Sequence, residues 1–209
     1  MLIPLARIVA KATAATGIPS TLLLVDIEGY WPGISNNTTS PQTLVGTPSL
    51  RATNGDGCRL YWVQTAAAGA TAQNIALSYT DQAGNTGNAL PVTVAMTASA
   101  IAGHISHSGV AANNYGPFLP LASGDYGVRN VASVTFSAAN TCTGALVLAR
   151  PIMEIPLGIV SLYHNKDMLS QTPSLPPIAD GACLAFILVA GGAVAASTTF
   201  AGHVETVWG

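Results

Sequence analysis

The amino-acid sequence predicts an all-β protein: a β-sandwich of jelly-roll or Greek-key type that follows an extended N-terminal arm. Three observations lead to this prediction. Apolar and polar residues alternate over short runs along most of the 209 residues, which is the pattern of half-buried strands. Clusters of Gly, Pro, Asn, Asp and Ser separate these runs, as turns do. No segment has the length and the charged face of an ordinary amphipathic helix.

Eight runs have the length and composition of strands. The clearest two are residues 74–80 and 90–97, which alternate apolar with small polar residues on either side of the turn-rich segment DQAGNTGN. We predict that they form a β-hairpin. The best helical candidate, residues 161–170, is short. The predicted strands cover residues 21–28, 58–66, 74–80, 90–97, 128–137, 145–150, 183–190 and 198–208.

The domain organisation is predicted from the distribution of proline. Five prolines fall in the first quarter of the chain, at positions 4, 19, 32, 41 and 48, and they favour extended structure there. Residues 1–20 are predicted to be an arm or short helix that packs on the body or on a neighbouring subunit. No linker-like change in composition divides the later strands, so residues 21–209 are predicted to form a single β-sandwich domain.

The chain carries very little charge. Hydrophobic residues make up 49% of it and charged residues 8%, about a third of the usual charged fraction of roughly 25%. The net charge of −2 argues against binding to DNA or RNA. The predicted hairpin turns Ala, Ser, Thr and Pro outward, and Asp81 is its only charge. Because such a surface keeps molecules apart only weakly, the composition favours a subunit that lies against neighbours.

Cysteine usage and hydropathy bear on the compartment. Cys58, Cys142 and Cys183 are far apart and odd in number, so we expect buried free thiols, as in a reducing cytoplasm. The uncharged run at residues 181–196 is shorter than the roughly 20 residues that a membrane helix needs. The first 17 residues lack the order of a signal peptide. We therefore expect neither a membrane segment nor a leader.

Catalytic and metal-binding patterns are weak in this sequence. His104 and His107 are three residues apart, but no Cys or acidic residue lies close in sequence to complete a metal site. Asp26 and Glu28 share a face of one predicted strand, and we expect them to be solvated or salt-bridged carboxylates near a strand end. No nucleophile elbow, phosphate-binding loop or dinucleotide-binding fingerprint occurs. We expect no enzyme activity, no cofactor, no metal and no small-molecule substrate.

Aromatic residues are the candidate interface residues. Neighbouring aromatics on a strand point to opposite faces, so only one of Tyr61 and Trp62 is expected to enter a given core. The other member of such a pair is available for contact with another molecule, and aromatics are enriched at interfaces. A sugar-binding platform is the alternative use. The candidates are Tyr30, Trp31, Tyr61, Trp62, Tyr115, Phe118 and Trp208.

Three stretches of the chain carry a family resemblance. They are LSYTDQAGNTGNALPVTV, SGVAANNYGPFLPLASGDYGVRNVASVTFS, and the closing DGACLAFILVAGG with HVETVWG. Across most of residues 57–209 the chain resembles virion structural proteins of tailed bacteriophages, in particular capsid decoration or cement proteins. The first 56 residues carry no resemblance, and none of the stretches contains a catalytic signature.

The resemblance implies a non-enzymatic protein on the outer surface of an icosahedral capsid, made in the host cytoplasm. It would bridge neighbouring subunits of the major capsid protein and contact copies of itself, a trimer being common among such proteins. Two alternatives stay open: a structural protein of the tail, neck or adaptor, and a β-sandwich module that binds a glycan or a receptor.

Overall fold

The computed structural model describes residues 2–13, 19–106, 116–171, 175–190, 194 and 198–207. Among these residues the structure is nearly all β, with only two short helical segments, so the predicted all-β class is confirmed. Its strands are β1 (Leu2–Ala12), β2 (Ser20–Ser35), β3 (Gln42–Thr43), β4 (Arg59–Gln64), β5 (Gln73–Asp81), β6 (Val94–Met96), β7 (Val128–Phe136), β8 (Thr143–Leu157), β9 (His164–Asp167), β10 (Pro177–Ala179), β11 (Leu184–Ala190) and β12 (Phe200–Thr206); its helices are a 3-10 turn (Thr53–Gly55) and α1 (Met168–Gln171).

The chain folds into two compact units, where the sequence predicted one domain after an arm. Unit 1 comprises Met1–Asp26 and Pro151–Gly209, and unit 2 comprises Ile27–Arg150. Strands β2 and β8 each contribute residues to both units, which is why no change in composition marks the division.

Unit 2 is a sandwich of strands around one hydrophobic core. One sheet has the order β3-β7-β5-β6, and on the opposite side of the core β4 pairs antiparallel with the first half of β8. Trp62 of β4 is fully buried, and its ring meets that of Phe136 edge-to-face at 5.3 Å between centroids. Alternate residues of each strand point inward, as the period-2 pattern requires. This core includes Leu60, Leu77, Tyr79, Val131, Val134, Leu146 and Leu148.

The hairpin predicted over residues 74–96 forms only in part. Strand β5 pairs with β6 through just three residues, Gln73 to Ile75, and its main partner is β7, from Ile75 opposite Phe136 to Asp81 opposite Val128. Pro91 explains the short β6, because proline has no N–H to donate to a sheet ladder.

Unit 1 is built around β1, and the predicted N-terminal arm is not confirmed. Strand β1 pairs antiparallel with β10, β12 and β9. Its side chains Leu5, Ile8 and Ala12 are buried in a core that also includes Leu22, Leu24, Met153, Ile155, Leu157, Met168 and Ile178. A bulge between Leu5 and Arg7 shifts the register. This shift breaks the alternation that marks a strand in sequence.

The helix predicted over residues 161–170 is wrong for most of its length. Residues His164–Asp167 form strand β9, which pairs with Arg7 to Ala10 of β1. Only the four residues Met168–Gln171 are helical. A short polar segment has little helix-forming tendency of its own, so pairing with an already buried strand decides its structure.

The close packing of Gly144 against Trp62 gives a test of this fold. A Cβ at Gly144 would lie 2.0 Å from Trp62 Cζ2. We therefore expect Gly144→Ala to lower the free energy of unfolding by about 1–3 kcal/mol, the usual cost of overpacking a core, in urea denaturation followed by tryptophan fluorescence.

The matched control is Gly158→Ala, where the nearest atom to the added Cβ would be His164 Cε1 at 3.9 Å. Its free energy of unfolding should stay within about 0.5 kcal/mol of the wild-type value. Equal stabilities for the two alanine variants would contradict the packing described for Trp62.

Candidate assembly surface

The outer side of the β3-β7-β5-β6 sheet in unit 2 carries no charged side chain at its paired positions. Cross-strand neighbours there are Ala76 and Thr135, Ser78 and Ser133, and Thr80 and Asn130. All of these are exposed or half-buried. We call this surface the neutral face; it consists of Thr43, Asn74, Ala76, Ser78, Thr80, Ala95, Asn130, Ser133 and Thr135.

A groove borders one end of the neutral face. Its volume is about 460 Å³, and it lies between the sheet residues Asn74, Ala76 and Thr135 and the segment at residues 89–93. Its lining holds no ionisable side chain. Thr93, Thr135 and Ser137 bring hydroxyls to the lining, but no ionisable side chain lies there to act on them as a general acid or general base.

Asp81, the lone charge of residues 74–96, is buried rather than displayed. It is 3% exposed, and its two carboxylate oxygens accept hydrogen bonds from the backbone N–H of Asn85 at 2.9 Å and from the Asn85 amide at 2.8 Å. Burial alone would raise the pKa of Asp81, but these bonds and those from the backbone of Ala83 and Gly84 outweigh it, so the pKa lies below its ordinary value of 3.8. The carboxylate holds the turn that follows β5.

Tyr79 and Asp125 form a second internal link. The Tyr79 hydroxyl donates to Asp125 Oδ2 at 2.7 Å and accepts from the Ala122 N–H at 2.8 Å. Burial, together with the hydrogen bond to Asp125, raises the pKa of Tyr79 to about 12. The pair ties the loop before β7 to the core of unit 2.

Other charged side chains of unit 2 also form hydrogen bonds with backbone atoms of the same unit. Glu28, only 3% exposed, accepts a hydrogen bond from the Arg51 N–H, and the Arg51 guanidinium donates to the Ile27 carbonyl. Arg129 donates twice to the Gln82 carbonyl, at 3.0 and 2.7 Å. The few charges of this unit are therefore largely engaged in holding its loops.

In unit 1 one carboxylate binds backbone, and other charged side chains pair with side chains. Asp26 is fully buried and accepts the Cys183 N–H at 2.9 Å. Arg7 lies 3.7 Å from Glu205 and 4.0 Å from Asp167, and Lys11 lies over the ring of Tyr163 at 4.5 Å. We predicted solvated or salt-bridged carboxylates near a strand end; β2 instead continues to Ser35, and Asp26 and Glu28 are buried rather than solvated.

The candidate interface aromatics are dispersed. Trp31 and Trp62, at 5% and 0% exposed, lie in the core of unit 2, so they present almost no ring surface to another molecule. Tyr61 points to the opposite face from Trp62, as alternation predicts, yet it is 6% exposed and packs edge-to-face on Phe118 at 6.2 Å. Tyr30 is 55% exposed, and its role at an interface stays a prediction. Tyr115 and Trp208 lie outside the described residues.

The exposed apolar side chains of β11 were not among the sequence candidates. Leu184 and Phe186 are 42% and 50% exposed, although the run LAFILVA reads as a strand buried on both faces. The signal that sequence reasoning missed is position in the sheet, because only pairing decides that β11 is an edge strand.

The cysteine prediction is confirmed at two positions and wrong at the third. All three thiols are free; Cys58 and Cys142 are buried, and Cys183 is exposed because it precedes an edge strand. Burial raises the pKa of the Cys142 thiol, against the smaller opposite effect of a hydrogen bond from Gln64, so the thiol stays protonated at neutral pH.

The described residues hold no group of three or more His, Cys, Asp or Glu side chains placed to bind a metal ion. The His104 carbonyl accepts the Gln64 N–H at 2.9 Å, and His107 lies outside the described residues. In the same part of the chain, no helix combines the length and the apolarity needed to span a bilayer.

Comparison with protein-family models, with curated proteins and with solved structures gives no match for this chain.

Asp81→Asn tests the role of the buried carboxylate at acid pH. Because the pKa of Asp81 is lowered in the folded state, its contribution to stability is present above the ordinary value of 3.8 and is lost as pH falls through the folded-state value. The variant should be less stable than wild type at neutral pH, and the difference should shrink on acidification. Asp56→Asn, at an exposed turn, is the control; a constant gap for Asp81→Asn would contradict the assignment.

Tyr79→Phe tests the opposite limb of the pH profile. The raised pKa means that the protonated hydroxyl stabilises the fold below pH 10 and that this stabilisation is lost as pH rises from 10 towards 12. Denaturant titrations across that interval should show a steeper loss of stability for wild type than for Tyr79→Phe. The exposed Tyr30→Phe should keep the wild-type slope, and an unchanged slope for Tyr79→Phe would refute the link.

Proposed function

We propose that this chain is a structural virion protein that decorates an icosahedral bacteriophage capsid and stabilises it by bridging neighbouring capsid subunits. The observation that carries the proposal is the neutral face, an uncharged sheet surface in a unit where the charged side chains of Glu28, Arg51, Asp81 and Arg129 bind backbone atoms. The choice of a phage head among assemblies is supported by the sequence resemblance over residues 57–209.

The neutral face has the chemistry of a surface that another protein covers. An ionised side chain left unpaired at a contact costs several kcal/mol of desolvation. Thr, Ser and Asn avoid that cost, because they donate and accept hydrogen bonds while staying neutral. A face bearing Ser78, Ser133 and Thr135 is therefore covered by a neighbour with little penalty.

Decoration also explains why such a surface would be useful without chemistry. A protein that binds an assembled lattice but not its free subunits adds its binding free energy to the assembled state alone. Broad neutral contacts repeated over a shell then raise the resistance of the shell to heat and osmotic shock. No ionisable group in the groove beside the neutral face is needed for that role.

The proposal is tested with heads of the virus that encodes this sequence, prepared with and without the protein. In electron micrographs, heads prepared with the protein should show its density at regular sites on their surface. These heads should also withstand a higher temperature than heads prepared without it. Heads of equal strength, or density placed on the tail or neck, would contradict the proposal.

Ala76→Glu places a charge on the exposed neutral face and should weaken binding to bare heads by roughly tenfold or more, the effect expected for desolvating an unpaired charge. The matched control is Ala139→Glu, at an exposed position after β7, which should bind as wild type does. Equal binding by the two variants would contradict a contact between the neutral face and the capsid.

A further inference from the structure

Strand β11 has a free edge. It pairs with β2 through consecutive residues, from Leu184 opposite Asp26 to Ala190 opposite Ser20, without a shift of register. Within the part of the chain that the structure describes, β11 ends its sheet and nothing pairs with its other side. The free edge of a strand presents unpaired backbone N–H and C=O groups, which act as a template for another strand.

The other edge strands in the described residues are each protected. The outer side of β4 is covered by loop segments that hydrogen-bond to its backbone. The Gln64 N–H donates to the His104 carbonyl, and the Ser106 N–H donates to the Trp62 carbonyl. Further along the strand, the Leu119 N–H donates to the Leu60 carbonyl. Strands β3, β6 and β10 span only two or three residues. Strands β9 and β12 carry charges, including Lys166, Asp167 and Glu205. Short length, coverage and charge are the usual protections of a sheet edge.

Among the described residues, β11 has none of these protections. Its seven residues, LAFILVA, include no charge and no proline, and no Lys, Arg, Asp, Glu or His occurs between residues 181 and 202. Leu184 and Phe186 project from one face and are 42% and 50% exposed. A flat, uncharged and apolar edge of this length is expected to be paired when the protein is in its working state.

We propose that the free edge of β11 pairs with β11 of a second copy of this chain, antiparallel about a two-fold axis near Ile187. That register sets Ile187 opposite its own counterpart, Phe186 opposite Leu188, and Leu184 opposite Ala190. Every cross-strand pair is then apolar on apolar, with no charge to repel its symmetry mate.

A second copy fits this edge better than an unrelated strand does, because two-fold pairing forms a closed dimer. Two-fold pairing covers both free edges at once and leaves none for a third chain, so association stops at the dimer. The same edge paired head to tail would leave an open end and stack without limit. The inference deepens the proposed function, on which it rests for the premise that exposed surfaces of this chain are covered in an assembly.

The test uses the purified full chain with no capsid present, so its outcome is independent of the decoration experiment. Sedimentation equilibrium should give the mass of a dimer for wild type. Phe186→Lys should raise the dimer dissociation constant by roughly 100-fold, because a lysine at the pairing edge must be desolvated without a partner. Phe200→Lys, at an exposed phenylalanine of β12, is the matched control and should dimerise as wild type does.

Hydrogen exchange on the wild-type chain gives a second readout that needs no variant to fold. Amides of β11 should be protected at high protein concentration and lose protection on dilution, while those of β12 stay constant. A wild-type monomer at all concentrations, or a dimer that Phe186→Lys leaves intact, would overturn the proposal. Protection of β11 only when capsid heads are added would also overturn it and assign the edge to the shell, leaving the proposed function in place.

Discussion

A buried polar group is stable only when it is hydrogen-bonded, and this constraint decides where the few charges of the chain lie. The carboxylate of Asp81 fixes the turn after β5, and the hydroxyl of Tyr79 joins Asp125 to the Ala122 N–H. The guanidinium of Arg129 donates two hydrogen bonds to the Gln82 carbonyl. Each of these groups stabilises a loop that would otherwise bury unpaired backbone atoms. The outer face of the β3-β7-β5-β6 sheet is then left to small neutral residues.

This division of labour links stability to association. In an ordinary globular protein, charges on the outer strands keep molecules apart. Here the same charges stabilise loops, so the surface of the unit 2 sheet is held apart from neighbours only by hydration of Ser, Thr and Asn. Such a surface lacks the hydrophobicity that makes an apolar patch aggregate. It also lacks the charge that would repel a complementary partner. It is suited to contacts that form only when many are made together.

Most strands could be predicted from the sequence because their alternation is local. Residues 128–137 and β7 (Val128–Phe136) agree almost residue for residue, since the buried Val131 and Val134 and the outward Ser133 and Thr135 alternate as a half-buried strand must. The partner of β5 could not be predicted in this way. Alternation fixes which face is buried but not which strand lies beside it, and the sequence neighbour β6 contributes only three residues to the pairing.

The elements that sequence reasoning missed share a different cause. In β1 the bulge at Leu5–Arg7 interrupts the period, and β9 gains its structure from pairing with β1 rather than from its own residues. The burial of Asp26, Glu28 and Asp81 was missed because a carboxylate is read as exposed unless its partners are known. Each of the three accepts a hydrogen bond from a backbone N–H, a group that every residue other than proline has and that therefore leaves no mark in the sequence. The lack of charge on the neutral face could be predicted from the sequence. Which residues lie side by side on it, such as Thr43, Ser133 and Thr135, could not be predicted without the strand register.

The two surfaces proposed for contact have different physical characters, and together they define how such a protein would work. The proposed pairing at the edge of β11 would combine main-chain hydrogen bonds with apolar side-chain contacts and close at two copies. The neutral face of unit 2 offers dispersed, weak hydrogen bonds. The proposed dimer would carry two neutral faces, and wherever both reach the same lattice, binding of one would raise the effective concentration of the other. Weak single contacts then become firm attachment to a repeating lattice and stay weak towards a lone subunit. A stabiliser of assembled shells needs this discrimination, which a single strong contact would not provide.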